Sequence, residues 1–99
     1  MRFGLSEAVL SDVSGILKKH VPAAAIWVFG SRAKGHAKPH SDLDLAIDAG
    51  QTLSLETLAS LHYDFASSDL PIKVDALDYQ DMDASFRQLV DKQRVSFLE

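Results

Sequence analysis

Four residues in one stretch have the types and spacing to do phosphate chemistry. Gly30-Ser31 is followed, ten residues later, by Asp42-Leu43-Asp44. Gly30 lets backbone approach a ligand with no Cβ in the way. Ser31 offers a hydroxyl, and the amides after it open a helical turn, a setting that suits phosphate. Arg32, Lys34 and Lys38 add positive charge beside it. On an extended strand Asp42 and Asp44 share one face, with Cα atoms roughly 6.5–7 Å apart. Two such carboxylates repel unless a cation sits between them, and a divalent ion is the natural counter-charge. Asp75, on a later strand, can complete the cluster. Three carboxylates can hold two Mg²⁺ ions about 3.5–4 Å apart, the arrangement of in-line phosphoryl and nucleotidyl transfer.

The elements that must position these residues follow from pattern. Leu5, Val9, Val13, Ile16 and Leu17 fall at helical spacing, with Ser6 as cap and Pro22 as stop. Ala25 to Phe29 is a short apolar run bounded by Gly30 and reads as a buried strand. Ser31 to Ser41 turns polar and basic: a short helical turn, then a loop. Asp42 to Asp48 alternates, with Leu43, Leu45 and Ile47 on one face and Asp42, Asp44, Ala46 and Asp48 on the other. Ser54 caps a helix carrying Leu55, Leu58, Leu61, His62 and Phe65. Ile72 to Leu77 is a third strand. Asp81 or Asp83 starts a last helix with Phe86, Leu89 and Val90, and Val95 to Leu98 is a short apolar tail. The expected fold is α/β: a small mixed sheet with helices packed mainly on one face, in a single domain over residues 1–99.

Composition narrows the function. With 99 residues and 46% hydrophobic content, the chain suits one globular domain. It has no cysteine, so disulfides and thiolate metal sites are excluded and hard cations favoured. The net charge of -4 argues against general nucleic-acid binding. The longest apolar stretch, Ala23 to Phe29, is too short to span a bilayer, so a cytoplasmic protein without membrane attachment is expected. Neighbouring candidates have plainer readings. His36 and His40 read as a solvated loop, and Lys73 as an edge-strand lysine. Asp48 lies beyond metal reach of the pair. Asp78 competes with Asp75 as the acid of the third strand.

The wording Gly30-Ser31-Arg32-Ala33-Lys34-Gly35 with Ser41-Asp42-Leu43-Asp44-Leu45 resembles the nucleotidyltransferase superfamily that includes DNA polymerase β, and within it the minimal nucleotidyltransferases (MNT proteins). The specific motifs occupy residues 29–45 and 72–76. The resemblance implies a polymerase β-like core. It implies that Gly30 and Ser31 bind the nucleotide; Arg32, by its charge beside them, is a further nucleotide-binding candidate. Asp42 and Asp44 would bind Mg²⁺. Asp75 would be a third metal ligand or the base for an acceptor hydroxyl. It implies ATP as donor and, as partner, a HEPN-domain toxin whose tyrosine receives AMP, this chain being the antitoxin. Two alternatives stay open: an antitoxin that only binds, or the catalytic subunit of a two-protein small-molecule nucleotidyltransferase. An exposed apolar surface for a homo- or hetero-oligomer is also expected.

Overall fold

The computed structural model describes residues 2–98. Helix α1 spans Glu7–His20, strand β1 Ala25–Phe29, the short helix α2 Ser31–Lys34 and strand β2 Leu43–Asp48. Helix α3 spans Leu55–Ser67 and strand β3 Val74–Asp78. A 3₁₀ turn at Tyr79–Asp81 leads into helix α4, Ala84–Gln93, and strand β4, Val95–Ser96.

Each long helix begins at a side-chain cap. Ser6 accepts from Val9 N, Ser54 from Thr57 N, and Asp83 from Phe86 N. Each cap satisfies an amide that the first turn leaves without a partner. Asp83, not Asp81, is the last cap; Asp81 closes the 3₁₀ turn.

The sheet order is β3-β2-β1-β4. Strand β1 pairs antiparallel with β2 and with β4, and β2 pairs parallel with β3, so the sheet is mixed as expected. The parallel pair forces a crossover, which α3 supplies. Residues facing one another across strands share a face. Ile26, Val28, Leu43, Leu45, Ile47 and Ala76 therefore pack under α1 and α3, where Val13, Leu17 and Leu61 are fully buried or nearly so. The opposite face carries Trp27, Phe29, Asp44, Ala46, Asp48, Asp75 and Leu77. Helix α4 covers part of it through Val90 and Phe86, the Phe86 ring meeting Phe29 edge-on. Two long helices thus lie on one face and one on the other, and the uncovered part of the second face bears the acids.

The apolar tail became structure. Val95 and Ser96 pair with Val28 and Trp27, and Phe97 N donates to Ile26 O. Among the described residues no helix is long and apolar enough to cross a membrane. The largest exposed apolar side chains are Leu55, at 86% exposure, and Tyr63, at 71%, both on α3.

Candidate active site

Backbone register does most of the positioning. Asp44 stands opposite Phe29 of β1 and opposite Asp75 of β3. With neighbouring strands about 4.8 Å apart, these acids are side by side on the open face. Asp42 precedes β2 on the same alternation and is exposed. Asp78, the rival acid, faces Ile47 instead. Its carboxylate is spent on Leu53 N and Gln80 N.

Gly30 fits against Asp44 so closely that a Cβ there would overlap Asp44 Oδ2. Its φ of 75° and ψ of −156° lie in a region that only glycine occupies without strain. The residue is thus demanded twice, once by its own backbone and once by the carboxylate beside it. Ser31 begins α2 directly after it.

The electrostatics of Asp44 are those of an unneutralised site. Burial, then the charges of Asp75 and Asp42, raise its carboxyl above the ordinary Asp range, with Lys73 pulling the other way. Asp48, four residues along the same strand, is the reverse. Gln80 Nε2 and Gly50 N donate to it, each at 2.9 Å, and hold it below that range.

Arg32, the expected third nucleotide-binding residue, lies enclosed beside the loop. It is only 3% exposed, and its guanidinium is committed to backbone carbonyls. Nε and Nη2 donate to Ser41 O at 3.0 and 2.8 Å, and Nη1 donates to Phe3 O at 2.9 Å. Nη2 also donates to Lys38 O and Pro39 O. A side chain so enclosed grips the loop. It fixes Ser41, the residue before Asp42, and so acts on the site through the backbone. The sequence marked Arg32 by its charge and neighbourhood and gave no sign of this burial. His36 and His40 remain on the exposed loop.

One residue near the site had no sequence signal. Gln93, at the end of α4, accepts from Gly30 N through Oε1 at 2.9 Å and so braces the glycine turn from the far end of the chain. Sixty-three residues separate the two, and nothing local in the sequence connects them.

Residues 11–99 match the family model described as polymerase beta, nucleotidyltransferase. The chain belongs to the polymerase β-type nucleotidyltransferases. This nucleotidyltransferase is 43% identical over 83 residues to a Haemophilus influenzae protein described as "Probable protein adenylyltransferase MntA", covering 84% of this chain and 73% of that one. Among solved structures it resembles a toxin–antitoxin complex containing AMP-PNP. The TM-score is 0.74 and the identity 27%, with 89% of this chain and 71% of that one covered. It also resembles the MntA–HpeT toxin–antitoxin with a tyrosine-to-alanine mutation. There the TM-score is 0.71 and the identity 29%, with coverage of 93% and 71%.

The family implies a divalent cation, and the donors suit one. Three hard oxygen ligand residues flank one another, and burial together with the charges of Asp75 and Asp42 raises Asp44. The three side chains do not close on a common point: no group of three His, Cys, Asp or Glu among the described residues has metal-holding geometry. Neighbouring carboxylates lower their repulsion by spreading apart, and rotation about their side-chain bonds suffices to bring them onto a shared cation. Position and chemistry therefore fit the ion, while convergence requires rotamer change.

Proposed function

We propose that this chain transfers AMP from ATP to a hydroxyl on a HEPN-domain partner in an Mg²⁺-dependent reaction, and thereby serves as the antitoxin of a toxin–antitoxin pair. The observation that carries the reading is the alignment of Gly30, just past the end of β1, with Asp44 on β2 and Asp75 on β3, at the uncovered part of one sheet face. The likeness to a protein described as an adenylyltransferase supports the chemistry, and the likeness to toxin–antitoxin complexes supports the partner.

In this reading Gly30 and Ser31 seat the triphosphate, while Asp42, Asp44 and Asp75 hold the metal. The bound cation supplies charge neutralisation along the triphosphate. Asp75, on the side away from Gly30, orients the acceptor hydroxyl and takes its proton. The acceptor oxygen bonds to the α-phosphorus, the bond to the pyrophosphate oxygen breaks, and pyrophosphate leaves toward the Gly30 turn. Arg32 and Gln93 serve as positioning residues, one behind Asp42 and one behind Gly30. The active unit would be the single domain over 1–99, working in the cytoplasm as part of a hetero-oligomer with its partner.

The test is transfer of label from ATP marked at its α-phosphate to a purified HEPN-domain partner. Wild-type protein should label the partner with Mg²⁺ and not after chelation. The Asp42→Asn, Asp44→Asn double variant should bind the partner but not label it. If the double variant still neutralised the toxin fully, the protein would act by binding alone, and the catalytic reading would fall.

A further inference from the structure

A cavity of about 460 Å³ lies where α3 meets the start of β3 and ends at Asp75. Phe65, Ala66, Leu70 and Val74 give it apolar walls, with the exposed His62 and Lys73 beside them. No part of the nucleotide reading uses it. We propose that it is the anchor pocket for the acceptor polypeptide, taking an aromatic or branched apolar side chain that flanks the hydroxyl-bearing residue.

The order of elements argues for an acceptor and against the nucleotide base. Across the sheet the sequence is Gly30 turn, Asp44, Asp75, cavity, because the strands run β1, β2, β3 and then the free edge. In-line displacement needs the attacking oxygen and the leaving pyrophosphate on opposite sides of the phosphorus. With the triphosphate at the Gly30 turn, the nucleophile must come from the Asp75 side. The edge of β3 is the side of that acid bearing no further strand.

Backbone geometry says how a polypeptide would lie there. Leu43 N donates to Lys73 O, so Lys73 and Asp75 direct their backbone groups toward β2. Val74 and Ala76 direct theirs to the free edge. His62 Nε2 already sits 2.7 Å from Ala76 O, which stops a long strand from adding beyond that point. Val74, beside the cavity, remains for a short extended segment. Successive side chains of such a segment alternate between the two sheet faces. One goes to the α3 side, into the cavity. Its neighbour goes to the side of the acids and brings its hydroxyl to Asp75. The apolar lining and the volume select a large carbon-rich side chain at the first position.

The inference rests on the proposed acceptor reaction, and the experiment separates the two. Ala66 is exposed on α3, so Ala66→Trp fills the cavity without replacing a core residue. Labelling of the HEPN-domain partner should show KM for the partner raised about 10-fold or more, as for loss of an interface anchor. Binding of AMP-PNP, measured by titration, should stay within about 2-fold, a change under 0.5 kcal/mol. Ala66→Leu, a smaller fill with high helix propensity, should shift KM the same way by less, and circular dichroism should match wild type for both. An unchanged partner KM in Ala66→Trp overturns the inference and leaves the reaction standing. Weakened AMP-PNP binding with unchanged partner KM overturns it too, by making the cavity a nucleotide subsite. No labelling by wild-type protein removes the functional reading and this inference together.

Discussion

The two ends of β2 carry the same residue type on the same face and treat it in opposite ways. At Asp48 the protein supplies donors: Gln80 and Gly50 satisfy the carboxylate and lower its pKa. At Asp44 it supplies partial burial and then more negative charge, from Asp75 and Asp42, and the pKa rises. Both acids are legal by alternation alone. What separates a structural carboxylate from a reactive one is whether the fold answers its charge or leaves the answer to a ligand.

The sharpest way to break this contrast is to neutralise one acid at a time. Asp44→Asn should lower kcat/KM for label transfer by about 10³-fold or more, as expected when a metal-holding carboxylate is lost. It should also raise the thermal midpoint by a few degrees, since it removes a partly buried charge and its repulsion by Asp75 and Asp42 from the folded state. Asp48→Asn should do the reverse on both counts: activity within about 3-fold of wild type, and stability lower by about 1 kcal/mol in a denaturant titration. If Asp44→Asn destabilises, the site is not held under electrostatic strain.

Backbone support comes next in size. Gly30→Ala should cost about 1–3 kcal/mol from the forbidden φ, ψ pair, and should cut transfer about 10²-fold by displacing Asp44. Arg32→Ala should cost about 2–4 kcal/mol, because several carbonyls lose a buried charged donor. Its activity loss should appear mainly in metal dependence, since the shift reaches Asp42 through Ser41, and not in affinity for AMP-PNP without metal.

The smallest expected effects are in pH. Asp44 has a folded pKa raised above its unfolded value, so its ionisation costs stability at neutral pH. That cost is relieved as pH falls through the raised folded value toward the ordinary one. Asp48 is depressed, so its contribution is complete above the ordinary Asp value and is lost as pH falls through its lower folded value. Acid titration of the Asp44→Asn and Asp48→Asn variants against wild type should show these opposite slopes. Mg²⁺ affinity should weaken as pH drops through the raised Asp44 value, because protons and metal compete for one carboxylate.

Much of this was legible in the chain. Alternation put Asp42 and Asp44 on one face, and the caps at Ser6, Ser54 and Asp83 follow from residue type and position, since the first helical turn creates local demands. The rest depends on distant packing. The side of the sheet that α4 covers is set by Phe86 and Val90 meeting Phe29 and Ala46, which no periodicity encodes. The fate of Arg32 depended on burial against Phe3, twenty-nine residues away. Gln93 reaches Gly30 only because α4 and β4 return to β1. Lys73 and Asp78 flank Asp75 with similar polarity, and only strand register identifies Asp75 as the partner of Asp44.

The two-residue strand β4 has a consequence for solubility. Without Val95 and Ser96, β1 would be the border of the sheet, and β1 carries Ile26, Trp27, Val28 and Phe29 with no charge among them. A bare, apolar border of that kind recruits strands from other molecules and seeds aggregates. The tail replaces it with a border too short to template anything, and Arg2, donating to Ser96 O at 3.0 Å, fastens it there.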